Sequence, residues 1–112
     1  MSAKEIISSL IGARLELQDE SLFEQFTFWP DHAVQVFGDR NGVAGPVLDY
    51  VVTRGGRVKF GFGDGVVSFT WDEIELKDDY LLVKCGICVR ECSYTYRPIK
   101  RYAVKRPRGL TR

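Results

Sequence analysis

The sequence predicts a mainly β (α+β) fold: an antiparallel meander of about eight strands, curled into a small closed or partly open barrel, with one N-terminal helix. Three observations lead to that fold class. After Gly12, apolar and polar residues alternate through most of the chain, the period of a strand with one buried face. Turn-forming residues punctuate the alternation at short intervals. Three successive hairpin turns between positions 47 and 83 each have a register that gathers the large apolar residues on one face. A chain of 112 residues is one compact domain, and 45% apolar with 28% charged residues is a globular composition, which excludes disorder, collagen and coiled coil.

The helix comes first. Ser2 and Glu5 have capping-box spacing, Ile6, Ile7, Leu10 and Ile11 share a helical face, and Gly12 ends the helix. Strands follow over 13–17, 22–29 and 33–37, separated by a polar turn and by Pro30-Asp31. A loop containing Asn41-Gly42 leads to the hairpins. Residues directly opposite each other in a hairpin share a face. A three-residue turn, Arg54-Gly55-Gly56, pairs Val52 with Val58, Tyr50 with Phe60 and Leu48 with Phe62, whereas a two-residue turn would set Val52 against Lys59. A two-residue Asp64-Gly65 turn pairs Phe62 with Val67, Phe60 with Phe69 and Val58 with Trp71. A turn at Asp78-Asp79 pairs Leu76 with Leu81 and Ile74 with Val83. A last strand over 92–96 alternates Tyr94 and Tyr96 with Thr95, and Pro98 argues against a central strand beyond it. The barrel and its helix therefore occupy 1–97, and 98–112 reads as a basic C-terminal tail.

A short helix, a Gly opening the first strand, the segment Phe26-Thr27-Phe28-Trp29-Pro30-Asp31, and a meander ending in Tyr94-Thr95-Tyr96-Arg97 resemble the lipocalin-like (calycin-type) small barrels over most of residues 5–97. Those families place Gly-x-Trp at the first strand and an F-x-F-x-x-D-G turn after the second. Here Arg14 stands at the Trp position and His32 at the turn Gly. The resemblance implies a barrel interior able to carry a small apolar ligand.

The net charge of +1 hides an asymmetry. Residues 1–96 hold 9 Lys/Arg against 15 Asp/Glu, and residues 97–112 hold 7 Lys/Arg and no acid. The tail, with Arg97, Lys100, Arg101, Lys105, Arg106, Arg108 and Arg112 around Tyr102, has the residue types of a nucleic-acid contact. The acidic body repels phosphate and disfavours that use. No signal-peptide core and no membrane-length apolar run is present, and the three cysteines read as reduced thiols, so a cytoplasmic protein is expected.

Catalytic and cofactor patterns are missing. Cys85-Gly86-Ile87-Cys88 with Cys92 supplies one knuckle and lacks a fourth zinc ligand, since His32 is the only histidine and is distant. His32 has no nucleophile or orienting acid beside it in sequence. Gly61-Phe62-Gly63-Asp64-Gly65 joins two strands, not a strand and a helix, so it is no dinucleotide fingerprint. The expectation is a protein that is not an enzyme and uses no metal or cofactor.

What remains is a surface. Asp72, Glu73, Glu75, Asp78 and Asp79 lie within eight residues, flanked by Trp71 and Tyr80. With Ile74 and Leu76 facing inward, Glu73 and Glu75 face outward. Acids with aromatics among them match a basic protein partner. The sequence thus leads to two expectations: an inhibitor or immunity-type protein that neutralises a basic partner such as a toxin domain, or a lipocalin-like carrier of a small apolar ligand.

Overall fold

The structure, a computed structural model, describes residues 1–38, 45–63, 65–88 and 98–106. Helix α1 (Ala3–Ser9) is followed by strands β1 (Arg14–Leu17), β2 (Glu24–Trp29), β3 (Ala33–Gly38), β4 (Val47–Val52), β5 (Val58–Gly61), β6 (Val67–Lys77), β7 (Tyr80–Cys88) and β8 (Ile99–Lys105). The strands pair in meander order, every pair antiparallel, and β8 returns to β1, so the sheet closes into a barrel.

α1 begins with the expected capping box. The Ser2 hydroxyl accepts from the Glu5 amide while the Glu5 carboxylate accepts from the Ser2 amide. Those bonds hold the Glu5 carboxyl below its usual range. Ile6, Ile7 and Leu10 are buried, whereas Ile11 turns outward. Gly12, at φ +86°, swings the chain from helix into β1, and its amide donates to the Phe28 carbonyl. α1 thereby covers one end of the barrel, beside the 53–56 turn and the end of β8, where Arg106 donates to the Ser9 carbonyl.

The two outer hairpin registers follow the apolar faces. Tyr50 pairs with Phe60 and Val52 with Val58, around a 54–56 turn in which Gly56 takes φ +91°. Leu76 pairs with Leu81 and Ile74 with Val83, around Asp78 and Asp79. The middle hairpin departs from expectation at its tip. Phe60 does pair with Phe69 and Val58 with Trp71, but a bulge follows Phe60 and sets Gly61 against Val67. Phe62 consequently leaves the core and is 54% exposed. Asp64 lies outside the described residues.

The domain boundary at 97/98 is corrected by β8. The strand begins just after Pro98 and is paired on both sides, with β7 and with β1. A proline at the strand's threshold removes no ladder bond, and its carbonyl accepts from the Cys85 amide. Residues 99–105 are therefore barrel wall, not tail. The strand expected over 92–96, and Arg97, Arg108 and Arg112, lie outside the described residues.

Phe26 occupies the centre of the interior. Its ring lies 4.9 Å from Trp71, 5.6 Å from Tyr102, 5.7 Å from Phe60 and 6.1 Å from Phe69, most of these in edge-on geometry. Phe28 and Tyr50 continue the cluster toward the helix, 5.0 Å apart. Six buried aromatic side chains thus pack with aliphatic ones in the described core.

Candidate functional site

Two constellations of polar residues stand out, one outside the barrel and one inside. The outer one is the β6–β7 hairpin. β5 ends its pairing with β6 at Trp71, so residues 72–77 are bonded to β7 alone. Bulges on either side of Trp71 shift the strand's parity: Trp71 points inward, and the next inward residues are Ile74 and Leu76. Glu73 and Glu75 consequently point to solvent, and Asp78 and Asp79 form the exposed turn, with Asp78 at φ +50°.

The structure separates the seven residues expected at this surface. Trp71 is 1% exposed and belongs to the aromatic core, so it offers nothing to a partner. Asp72 is engaged within the barrel wall: its Oδ1 lies 3.0 Å from Arg57 Nε and accepts from the Thr70 hydroxyl. Gly86 makes room for this group, since a Cβ there would strike both Asp72 and Thr70. Glu73 faces Lys84 at 3.4 Å and Glu75 faces Lys77 at 4.0 Å, exposed pairs of small energetic weight. Arg101 lies 3.9 Å above the Tyr80 ring, a cation–π contact from β8. The hairpin presents outward Glu73, Glu75, Asp78, Asp79 and the rim of Tyr80, together with Lys77 and Lys84.

The inner constellation was not foreseen. Glu24, at the start of β2, points into the barrel at the end remote from α1. Its Oε1 accepts from Lys100 Nζ at 3.0 Å and from the Tyr102 hydroxyl at 2.5 Å. The Lys100 and Glu24 side chains are 10% and 17% exposed, and Tyr102 is fully buried. β1 is four residues long, and its last residue, Leu17, pairs with Tyr102. Glu24 therefore reaches across the end of β1 and ties β2 to β8. The signal was present in the alternation of Lys100, Tyr102 and Val104, but Lys100 read as one charge of a basic run.

Burial and the neighbouring Glu24 carboxylate raise the Tyr102 hydroxyl well above the ordinary tyrosine range. The unfolded chain ionises its tyrosine near pH 10, while the folded chain resists. This contribution to stability is therefore complete below about pH 10 and is lost as pH rises further. Melting temperatures taken through the alkaline range should fall more steeply for the native protein than for Tyr102→Phe. Equal slopes would show that Tyr102 is not the titrating group.

The remaining sequence candidates fall apart in space. His32 sits exposed in the β2–β3 turn at φ +62°, its ring 5.5 Å from Tyr50. Burial pushes the Cys85 thiol up, which disfavours the thiolate a nucleophile needs. The Cys88 side chain and Cys92 lie outside the described residues. Among the described residues no group of three His, Cys, Asp or Glu is placed to hold a metal ion, and no helix is long and apolar enough to cross a membrane.

The fold and these sites define a closed eight-stranded antiparallel β-barrel with a helix over one end. Comparison with protein-family models, with curated protein sequences and with solved structures finds no match.

Proposed function

We propose that the protein is a non-enzymatic protein-binding module, most concretely a cytosolic inhibitor or immunity-type protein that neutralises a basic partner, such as a toxin domain. The observation that carries this reading is the β6–β7 hairpin, which holds four exposed carboxylates at and beside its turn while the apolar residues on the same strands serve the core. Such carboxylates compete for the cationic groups that would otherwise hold a phosphate substrate. They also speed encounter with a cationic surface, an effect that salt screens.

The test is a comparison of captured proteins. The native chain and a variant carrying Glu73→Gln, Glu75→Gln, Asp78→Asn and Asp79→Gly are used as bait in host lysate, at low and moderate salt. Asn and Gly suit the turn conformation, and exposed charges of this kind change stability by about 0.5 kcal/mol or less. The expected result is a basic protein retained by the native chain, released by salt and lost with the variant, at unchanged melting temperature. Identical capture by both baits would overturn the proposal.

A second reading, a lipocalin-like carrier, draws on the closed meander barrel and on the Glu24–Lys100–Tyr102 group inside its far end. The packing of aromatic and aliphatic side chains in the described core weighs against it. A carrier needs space that Phe26, Phe60, Phe69 and Trp71 occupy themselves.

A further inference from the structure

The outside of the barrel has two unlike halves. On β6, β7, β8 and β1 the outward residues are largely charged, as Glu73, Glu75, Lys84, Arg101 and Arg14 exemplify. On β2 to β5 they mix uncharged polar residues, Gln25, Thr27 and Gln35, with exposed apolar ones, and few are charged. Val47 and Val51 on β4 are 57% and 56% exposed, and Trp29 on β2 is 43% exposed. The turn after β5 adds Phe62 and Val66, and it folds over this same wall, since Gly63 approaches the Asp49 carboxylate closely. β4 itself, Val-Leu-Asp-Tyr-Val-Val, has the composition of a strand covered on both faces, yet only its inner face is covered by the barrel.

Among the described residues of β2 to β5, the outward charged side chains are Asp49 and Lys59. The ladder fixes their relation. Asp49 pairs with Gly61 and Val51 pairs with Lys59, so the four form a block with acid and base on one diagonal. The other diagonal runs from Val51 to Gly61, the residue over which the Phe62–Val66 turn arches. A twofold axis through the centre of this block sets Asp49 of one copy against Lys59 of the other, twice. That axis lies in the interface along the other diagonal, so it sets Val51 against Val51 of the mate, and Phe62 and Val66 against the same residues of the mate. A surface that is self-complementary in charge and apolar character is what an isologous interface requires.

We propose that the outer wall of β2 to β5 is the interface of a homodimer, with a reciprocal Asp49–Lys59 pair fixing its register. The β6–β7 hairpin lies outside this wall, so the inference stands whether or not that hairpin binds a basic partner.

Sedimentation across a micromolar to millimolar series tests it. The native chain should associate to a dimer, and Lys59→Glu, which places two acids together, should weaken association by about a hundredfold. Asp49→Lys should do the same, and the double exchange should return to within about tenfold of the native constant. Near-UV circular dichroism from buried Trp71 confirms the fold of each variant. Should Asp49→Lys fail to fold, Val51→Lys decides: loss of the dimer supports the proposal, and an unaltered dimer overturns it. A native chain that stays monomeric throughout, or folded single variants that associate as the native chain does, would also overturn it, as would a folded double exchange that does not recover.

Discussion

Replacing Glu24 with Ala should destabilise the protein by about 3 to 5 kcal/mol, the range for removing one member of a buried, hydrogen-bonded ion pair. The loss has two parts. Lys100, 10% exposed, would hold its charge without a carboxylate, and the Tyr102 hydroxyl, fully buried, would lose its acceptor. The tie between β2 and β8 across the end of β1 goes with them. Urea denaturation measures the difference. Replacing Glu24 and Lys100 together with Met should recover the part owed to Lys100, because two apolar side chains of similar length carry no desolvation cost, and adding Tyr102→Phe should recover the part owed to the orphaned hydroxyl. A deficit under about 1 kcal/mol in the single variant would mean that water reaches the pair and that it behaves as a surface contact.

Phe26→Ala should cost about 3 to 5 kcal/mol by the same measurement, the range for truncating a core aromatic. Phe26 contributes edge contacts to Phe60, Phe69 and Tyr102 and a tilted contact to Trp71, so its loss removes several favourable ring pairs at once. The variant also separates the two functional readings. With the central ring gone, the interior gains apolar space, and a compound such as indole or benzene should bind there and raise the melting temperature. The native barrel, filled by its own side chains, should show no such response. A native chain stabilised by small apolar compounds as strongly as the variant would favour the carrier reading over the protein-binding one.

Legibility in the sequence followed the simplicity of each segment's neighbours. Between 47 and 83 each strand has one buried face and a short turn, so opposing residues could be matched by apolarity, and Tyr50–Phe60, Phe60–Phe69 and Leu76–Leu81 came out correctly. The same method placed Phe62 inside, because a bulge at Gly61 leaves no mark in an apolar–polar pattern. β8 was hidden for a different reason. Its inward positions include Lys100, whose partner Glu24 is 76 residues away, and a charge neutralised by a distant residue looks like a solvated one. Trp71 is read from the hairpin register as facing inward opposite Val58, which the structure bears out, and from its acidic neighbours as part of the surface, which it does not; Asp72 likewise is held in an Arg57 pair. The four outward acids were legible because they alternate with Ile74 and Leu76 or occupy the turn.

The seam between β1 and β8 governs how the barrel comes into being. Arg14 pairs with Lys105, a separation of 91 residues, and every contact across that seam joins the beginning of the domain to its end. During synthesis at about 5 to 20 residues per second, the hairpins from β2 to β7 can form in order while β1 waits several seconds for its mate. Until β8 emerges, β1 and β7 both present open backbone edges, and the aromatic interior is uncovered along one side. Closing so long a loop places the chain among slow folders, with rates on the order of milliseconds to seconds. The Glu24 bonds to Lys100 and Tyr102 span this same seam, so they form only when it shuts, and they act chiefly on the rate at which the finished barrel reopens.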